Sequence, residues 1–489
     1  MAITAGDNLN SVPAPVQQAL ASNYLDLNGA AGWGQQYVPD LMEKEAEVFG
    51  QRTISGFLSK VGAEESMTAD QVIWSEQGRL HLSYKGVMSG SNTLLLQADI
   101  DEATDITAGL DTAHGVRVND TVIVSNANTV SKCIVSAITN NDELTLLPYD
   151  GVAVAALAGA KSTTCLVYGS EFGKGMSYNT AAAAATEQRG ANEPSFKTFS
   201  NKPIILKDYY EVSGSDASRI GWVEIASEEG ASGYLWYLKA EADTRARFND
   251  HLEMAMLEGE LGDDTTAATG VDAFIASNGD TVGTEGLFAA IESRGNLTSG
   301  ITGVNAATDL AEFDAILAEF DKQGAIEENM MFVNRATSLA IDDMLASMNS
   351  YGAGGTSYGV FENDEDMALN LGFSGFRRGS YDFYKSDFRY LNDLATRGGI
   401  NAAGAANAIR GVVIPAGTST VYDQQLGKNL KRPFLHVRYR ASQTDNRKLK
   451  TWTTGSVGAA TSALDAMQIH MLSERCLVTQ GANNFMLMK

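Results

Sequence analysis

Hydrophobic and polar positions fall into two rhythms along this chain. The clearest helical one runs from Ser232 to Glu260, SGYLWYLKAEADTRARFNDHLEMAMLEGE. Leu235, Leu238, Phe248, Leu252 and Met256, with Ala242, Ala246 and Ala255, recur at steps of three, four or seven, the spacing of one helix face. Lys239, Glu241, Asp243, Arg245, Arg247, Asp250 and Glu253 fill the opposite face. There Glu241→Arg245 and Asp243→Arg247 stand at i,i+4 in the favourable order, each worth roughly 0.3–0.5 kcal/mol. Ser232 is the expected cap, and Gly259 or Gly262 the expected stop. The result is a rod of about 25 residues, nearly 40 Å long at 1.5 Å per residue.

The same periodicity predicts a helix over Thr308–Lys322, with Leu310, Phe313, Ile316, Leu317 and Phe320 inward and Thr308 or Asp309 as cap, and another over Ala336–Met348. Between them Asn329–Asn334 reads as a short buried strand. Strands follow around Asp382–Lys385, Ile409–Pro415 and Phe434–Tyr439. A helix is expected near Ser462–His470, then terminal strands at Arg475–Gln480 and Asn484–Met488.

A period of two dominates the first half. Gln71–Glu76 and Arg79–Tyr84 alternate around Gln77-Gly78 as a hairpin, and Lys202–Val212 reads as a returning strand. Within this loop, Val116–Val124, Lys132–Thr139, Glu143–Leu147 and Thr164–Tyr168 are short β-rich runs with turns at Asn126-Ala-Asn and Asn140-Asn-Asp. They predict a small inserted β-barrel or sandwich over 90–170. Residues 1–50, broken by Pro13, Pro15, Asn28-Gly29 and Gly32-Trp33-Gly34, read as an arm with one short helix at Asp40–Gly50. The Ala181–Ala185 run is either a short helix or a linker, and Gly352–Gly359 a loop.

Composition narrows the function. With 36 basic against 60 acidic residues the net charge is −24, which disfavours a general nucleic-acid binder or a ligand of anionic membranes. Cys133, Cys165 and Cys476 are odd in number and lack C-x-x-C spacing, so they read as buried, reduced thiols. The start, MAITAGDNLN, has no signal-peptide pattern, and Val152–Ala160 is about half the length of a membrane helix.

Chemistry is sparse. His81, His114, His251, His436 and His470 are scattered singly. Gly355-Thr-Ser357-Tyr-Gly359 has the letters of a nucleophile elbow without the strand before it and the helix after it. Gly169–Lys174 is a residue short of a P-loop and lacks the hydroxyl after its lysine, so it reads as a turn. Acidic runs at Asp99–Glu102 and Glu362–Asp366 lack EF-hand register and read as solvated loops. No catalytic, cofactor or metal residue is nominated. One basic island stands out: Lys428, Lys431, Arg432, Arg438, Arg440, Arg447, Lys448 and Lys450, opposed in that span only by Asp445. It suits either nucleic acid or an acidic face of another copy of the chain, and the acidic mean favours the copy.

A bent β loop, a long spine helix, helices flanking strands and a return to strands, carried by the stretches near Ile73 and Ile204, Leu235–Leu257, Met330–Thr337 and Arg475–Met488, resembles the major capsid proteins of tailed double-stranded DNA phages. The resemblance implies an α+β capsid fold: an N-terminal arm (1–50), an extended loop (51–89 and 171–212), the inserted β domain (90–170), a peripheral domain with the spine (213–261 and 431–489) and an axial domain (262–430). The ending Gly481–Met488 and the length are similar to the crAss-like phage group. The function implied is self-assembly into hexamers and pentamers of an icosahedral shell in the virion, formed in the host bacterial cytoplasm, with no enzymatic activity. Implied partners are other copies, a portal, a scaffold, decoration proteins and, non-specifically, packaged DNA. An encapsulin-type compartment, a surface-layer protein and an enzyme are the rival classes.

Overall fold

The computed structural model describes residues 63–102, 105–106, 114–139, 142–154, 157, 159–175, 196–217, 225–226, 232–233, 236–262, 283–324, 326–349, 375–401, 408–416, 418–423, 428–456 and 461–489. The expected arm, the helix at Asp40–Gly50, the Ala181–Ala185 run, and the Gly352–Gly359 and Glu362–Asp366 loops lie outside them. Two compact units emerge, one of residues 75–198 and one of the remainder.

In chain order the first unit to begin supplies β1 (Ala63–Met67) and β2 (Val72–Gln77). The inserted unit contains β3 (Ser83–Gly90), β4 (Thr93–Asp99), β5 (Asp120–Ser125), β6 (Val130–Thr139), β7 (Glu143–Pro148) and β8 (Thr163–Ser170). These six close into an antiparallel barrel in the order β3-β4-β7-β6-β5-β8. Strict alternation drives closure: Leu94, Leu96 and Ala98 of β4, and Leu144 and Leu146 of β7, point inward with Val122, Val124, Cys133, Val135 and Cys165. Gly86 allows the β3–β4 approach, since a Cβ there would sit 2.2 Å from the Leu95 carbonyl oxygen.

Two sequence expectations change here. Barrel strands begin at Ser83, so Arg79–Tyr84 does not return on Gln71–Glu76 as a hairpin. Instead β2 pairs with β9 (Phe196–Asn201), a partner distant in sequence, while β3 joins β4 and β8. Of the expected strand Arg79–Tyr84 only Ser83 and Tyr84 are extended in a sheet, and alternation carries no information about which strand is the neighbour.

The larger unit resumes with β10 (Ile204–Ser213), a turn α1 (Gly214–Ala217), the short pair β11 (Ile225–Ala226) and β12 (Ser232–Gly233), and the long helix α2 (Trp236–Glu258). Ser232 therefore lies in a strand rather than capping the helix. At 23 residues α2 is about 35 Å long. Its buried stripe is Ala240, Thr244, Phe248, Leu252 and Met256, at steps of four, with Leu257 beside it. Ala242 is exposed instead.

Next come α3 (Leu287–Arg294), β13 (Asn296–Thr298), α4 (Ala306–Gln323), β14 (Glu328–Val333) and α5 (Arg335–Asn349). The expected helix–strand–helix is present. The cap of α4 is Asn305, whose side chain accepts from the Thr308 N–H at 3.0 Å, while Asp309 is buried and accepts from the Gly303 N–H at 2.9 Å. Then follow β15 (Gly375–Arg378), β16 (Tyr381–Asp387), the turn α6 (Arg397–Ile400), β17 (Gly411–Pro415), β18 (Thr418–Asp423), β19 (Lys428–Pro433), β20 (Leu435–Arg440), β21 (Lys450–Gly455), β22 (Ala466–Thr479) and β23 (Met486–Met488).

The expected helix near Ser462–His470 is not formed: Ala466–His470 opens the 14-residue strand β22. Its Ala, Met and Gln are good helix formers, yet β10 pairs along one side, and β21 and then β20 pair along the other. Hydrogen bonds on both edges override the local preference.

Two sheets result. A five-stranded sheet runs β1-β20-β22-β10 with β21 also on β22, and a mixed six-stranded sheet runs β13-β23-β17-β14-β16-β15. The sequence reading keeps both terminal strands together, whereas β23 sits between β13 and β17 in the second sheet. One face of that sheet packs on α4 and α5 through Phe313, Phe320, Ile341 and Met344. Its other face meets Met256 and Leu257 of α2, Leu287 and Ile291 of α3, and Leu435, Val437 and Leu477 of the first sheet. The architecture is α+β.

Asn201 fixes the foot of β9 to this core. Fully buried, it donates to the carbonyls of Glu285 (2.9 Å) and Leu477 (2.7 Å), and accepts from the Glu285 N–H (2.9 Å) and the Thr284 hydroxyl (3.2 Å). An Asn201→Ala change strands several buried groups at once, at about 1–3 kcal/mol for each one left unsatisfied. Urea unfolding should report a loss of roughly 2–4 kcal/mol; a change under about 0.5 kcal/mol, the size typical of surface substitutions, would show that water replaces these bonds freely.

Candidate assembly surface

Most residues that carry chemistry are consumed within the fold. His81 and His251 are exposed. His114 is buried edge-on to Tyr84 at 5.9 Å, and its Nδ1 accepts from the Val116 N–H. His436 is buried beside Arg438. Among the described residues no three His, Cys, Asp or Glu are grouped to hold a metal ion. No described helix is long and apolar enough to cross a membrane.

The acidic run Asp99–Glu102 ends in an exposed loop, as expected, and that loop carries surface ion pairs. Arg79 holds Asp101 in a two-pronged contact at 2.6 and 2.8 Å, and Lys85 and Lys161 both reach Glu102. Residues Gly169–Lys174 continue from the end of β8 into a turn, as expected.

The basic island is largely spent. In the five-stranded sheet Arg438 meets Glu65 at 3.1 Å, Arg440 meets Glu474 and Asp70, Arg447 meets Glu474 at 2.7 Å, Lys448 meets Glu64, and Lys450 meets Asp445 at 2.8 Å. Parallel pairing of β1 on β20 delivers Glu64 and Glu65, and β22 delivers the buried Glu474. Local counting along the sequence misses these acids because they come from strands remote in the chain. The five described cations of the island are therefore paired within the chain; the side chains of Lys428, Lys431 and Arg432 lie outside the described residues.

The charged row of α2 also divides. Arg245 pairs with Glu241 at 3.2 Å as expected, but Arg247 reaches Asp208 of β10, also at 3.2 Å. Arg247 thus ties the helix to its own sheet, and Arg245 is the more separable probe of that face.

What the sheet does display is aromatic. In β10 the even-numbered residues Ile204 to Val212 face α2, and Ile205, Lys207, Tyr209 and Glu211 face away. Register places Tyr209 opposite His470 of β22, and His470 opposite Trp452 of β21. Their rings form one rung across three strands, with centroids 6.0 and 5.2 Å apart and both pairs stacked. The Thr454 hydroxyl lies 2.7 Å from His470 Nε2 and steadies the middle ring. Tyr209 is 58% exposed and Trp452 38%, with Ile205 and Leu449 also open to solvent. Sequence reasoning missed this rung. Its signals were the aromatic residues at Tyr209 and Trp452, and bringing them together depends on the strand assignment of Ala466–His470.

The thiols are protected. Cys133 and Cys165 flank β5 inside the barrel, opposite Val122 and Val124, and Cys476 lies in β22; all three are buried and free. Burial pushes Cys165 and Cys476 up to about 12.

No family model matches the chain, and no curated protein matches it. Among solved structures, one from Microbacterium phage Oxtober96 is 9% identical over 95% of this chain and 99% of that one, with a TM-score of 0.35. One from Mycobacterium phage Ogopogo is 11% identical over 93% and 97%, with a TM-score of 0.39. The capsid structure of the cyanophage P-SCSP1u is 10% identical over 63% and 79%, with a TM-score of 0.31.

Thiol titration checks the burial. Because the folded Cys165 and Cys476 keep their protons up to about 12 while the unfolded chain releases them near 9, stability from these groups is complete below pH 9 and falls as pH rises through that window. An aromatic-disulfide thiol reagent at pH 8 is expected to label these two only as the protein unfolds; labelling at the rate of a free thiol in the native state would contradict their placement.

Proposed function

We propose that this chain is the major capsid protein of a tailed double-stranded DNA phage, a structural subunit whose copies form the hexamers and pentamers of an icosahedral shell around the genome. The observation that carries this reading is the uncovered Tyr209–His470–Trp452 rung on a sheet whose opposite face is already filled by a long helix. A sheet with one helix layer and a solvent-facing aromatic rung gains by burying that face on a neighbour, at about 25 cal/mol per Å² of apolar surface. The order of elements, from paired loop strands through one long helix to a helix-flanked mixed sheet and return strands, supports it further.

On this reading residues 1–50 are the arm, the segments about β2 and β9–β10 are the extended loop, and the closed barrel is an insertion in it. The helix α2 and the five-stranded sheet make the peripheral domain, and the six-stranded sheet with α4 and α5 the axial domain. Copies of the chain are the principal partners. A portal, a scaffold and decoration proteins complete the particle, which assembles in the host cytoplasm, and DNA meets its acidic subunits non-specifically. The chemistry required of the chain is association and not catalysis.

Electron microscopy and light scattering of the purified chain, with and without a scaffold, test this directly. Capsomers, sheets or shells are expected, and combining Tyr209→Ala with Trp452→Ala should raise the concentration needed for assembly by about tenfold or more while moving monomer stability by less than about 1 kcal/mol. A compact monomer at high concentration and moderate salt would overturn the proposal. Shells that enclose a protein cargo and no DNA in the producing cell would assign the chain to an encapsulin-type compartment instead.

A further inference from the structure

The barrel has a second unexplained surface, independent of the assembly rung. On the outer wall of β5, β6 and β8 lies a shallow cleft of about 470 Å³, lined by Thr121, Lys132, Tyr149, Tyr168, Ser170 and Glu171. Its construction depends on a β-bulge. Strand β8 pairs Val167 with Val122 and Gly169 with Thr121, so Tyr168 is an extra residue with no opposite number. Such bulges redirect side chains and recur beside functional sites. Here the ring is thrown outward and stands 51% exposed.

A second ring faces the same space. The Tyr149 N–H donates to the Lys132 carbonyl at 3.0 Å, which holds the segment after β7 against β6, and the Tyr149 hydroxyl donates to the Glu171 carboxylate. That bond fixes the ring orientation and pushes the phenol up to about 12. Glu171 is itself held by its backbone N–H to the Asn119 carbonyl at 2.9 Å. Between the rings Gly169 leaves the floor open; a Cβ there would come within 3.3 Å of the Thr121 hydroxyl.

We propose that this cleft binds a neutral saccharide. Two tyrosine faces suit the apolar C–H face of a pyranose, and Lys132, Glu171, Thr121 and Ser170 supply donors and acceptors for its hydroxyls. Anionic ligands are disfavoured by Glu171 in the wall and by a net charge of −24. An extended peptide would add to a strand edge, and a closed barrel offers none. Tyr149, already oriented by its hydrogen bond to Glu171, loses little freedom on binding.

The test uses the full chain on a panel of immobilised neutral hexose oligosaccharides beside sialylated and sulfated ones, followed by titration calorimetry of the neutral oligosaccharides retained. Binding to neutral members is expected, weakened by about tenfold or more in Tyr149→Ala and in Tyr168→Ala. Tyr168→Phe, which keeps the ring, and Val130→Ala, on the same wall outside the cleft, should leave it unchanged. Both alanine variants should retain the wild-type melting temperature within about two degrees, since the rings are half exposed. No neutral saccharide bound at millimolar concentration, binding confined to the charged glycans, or binding indifferent to both tyrosines would overturn the assignment. So would a Tyr168→Ala effect confined to self-association, which would make the cleft a protein contact.

Discussion

The larger unit depends on a single stretch, Ala466–Met488. Strand β22 lies between β10 on one side and β21 and β20 on the other, and a few residues later β23 enters the other sheet between β13 and β17. From Met471 to Thr479 every residue is buried, as expected of a strand with neighbours on both edges and both faces covered. Neither sheet is complete without this segment. Leu477 and Leu487 enter the same apolar cluster from the two sheets, alongside Met256 and Leu257 of α2. The helix, the two sheets and the loop strand β9, through Asn201, thus share one buried junction.

That arrangement explains which parts were legible in the sequence. The helices α2, α4 and α5 and the strand β14 were readable because their apolar spacing is a local property, and the barrel runs β5 to β8 because alternation is too. What failed was non-local. The partner of β2 is β9, across the whole inserted barrel, and the Ala466–His470 segment became strand only because β10 and β21 bond to its two edges. The cap of α4 moved to Asn305 for a smaller reason: Asp309 was engaged by the Gly303 N–H, which left the earlier amide oxygen to bind Thr308.

The candidate surface was less legible than the fold. Basic residues from Arg438 to Lys450 read as an exposed island, yet Glu64, Glu65, Asp70 and Glu474 arrive from β1, its following turn and β22 to meet them. Conversely Tyr209, His470 and Trp452 are separated by up to hundreds of residues and form one rung only through register. Charge that looked available was consumed, and apolar surface that looked scattered was assembled.

This exchange bears on how copies of the chain can meet. With its described cations largely paired internally and a net charge of −24, the subunit repels its own kind at long range, over a distance of about 8–10 Å at physiological salt. Attraction must then come at contact, from apolar and aromatic area whose worth does not decay with ionic strength. Salt should accordingly promote association by screening the repulsion, whereas an interface built on the basic island would be weakened by it. The paired cations follow from the β1–β20 and β20–β22 registers and the exposed rung from the β10–β22–β21 register, and under the proposed function they favour a subunit that stays dispersed when dilute and associates once crowding or a template brings copies into contact.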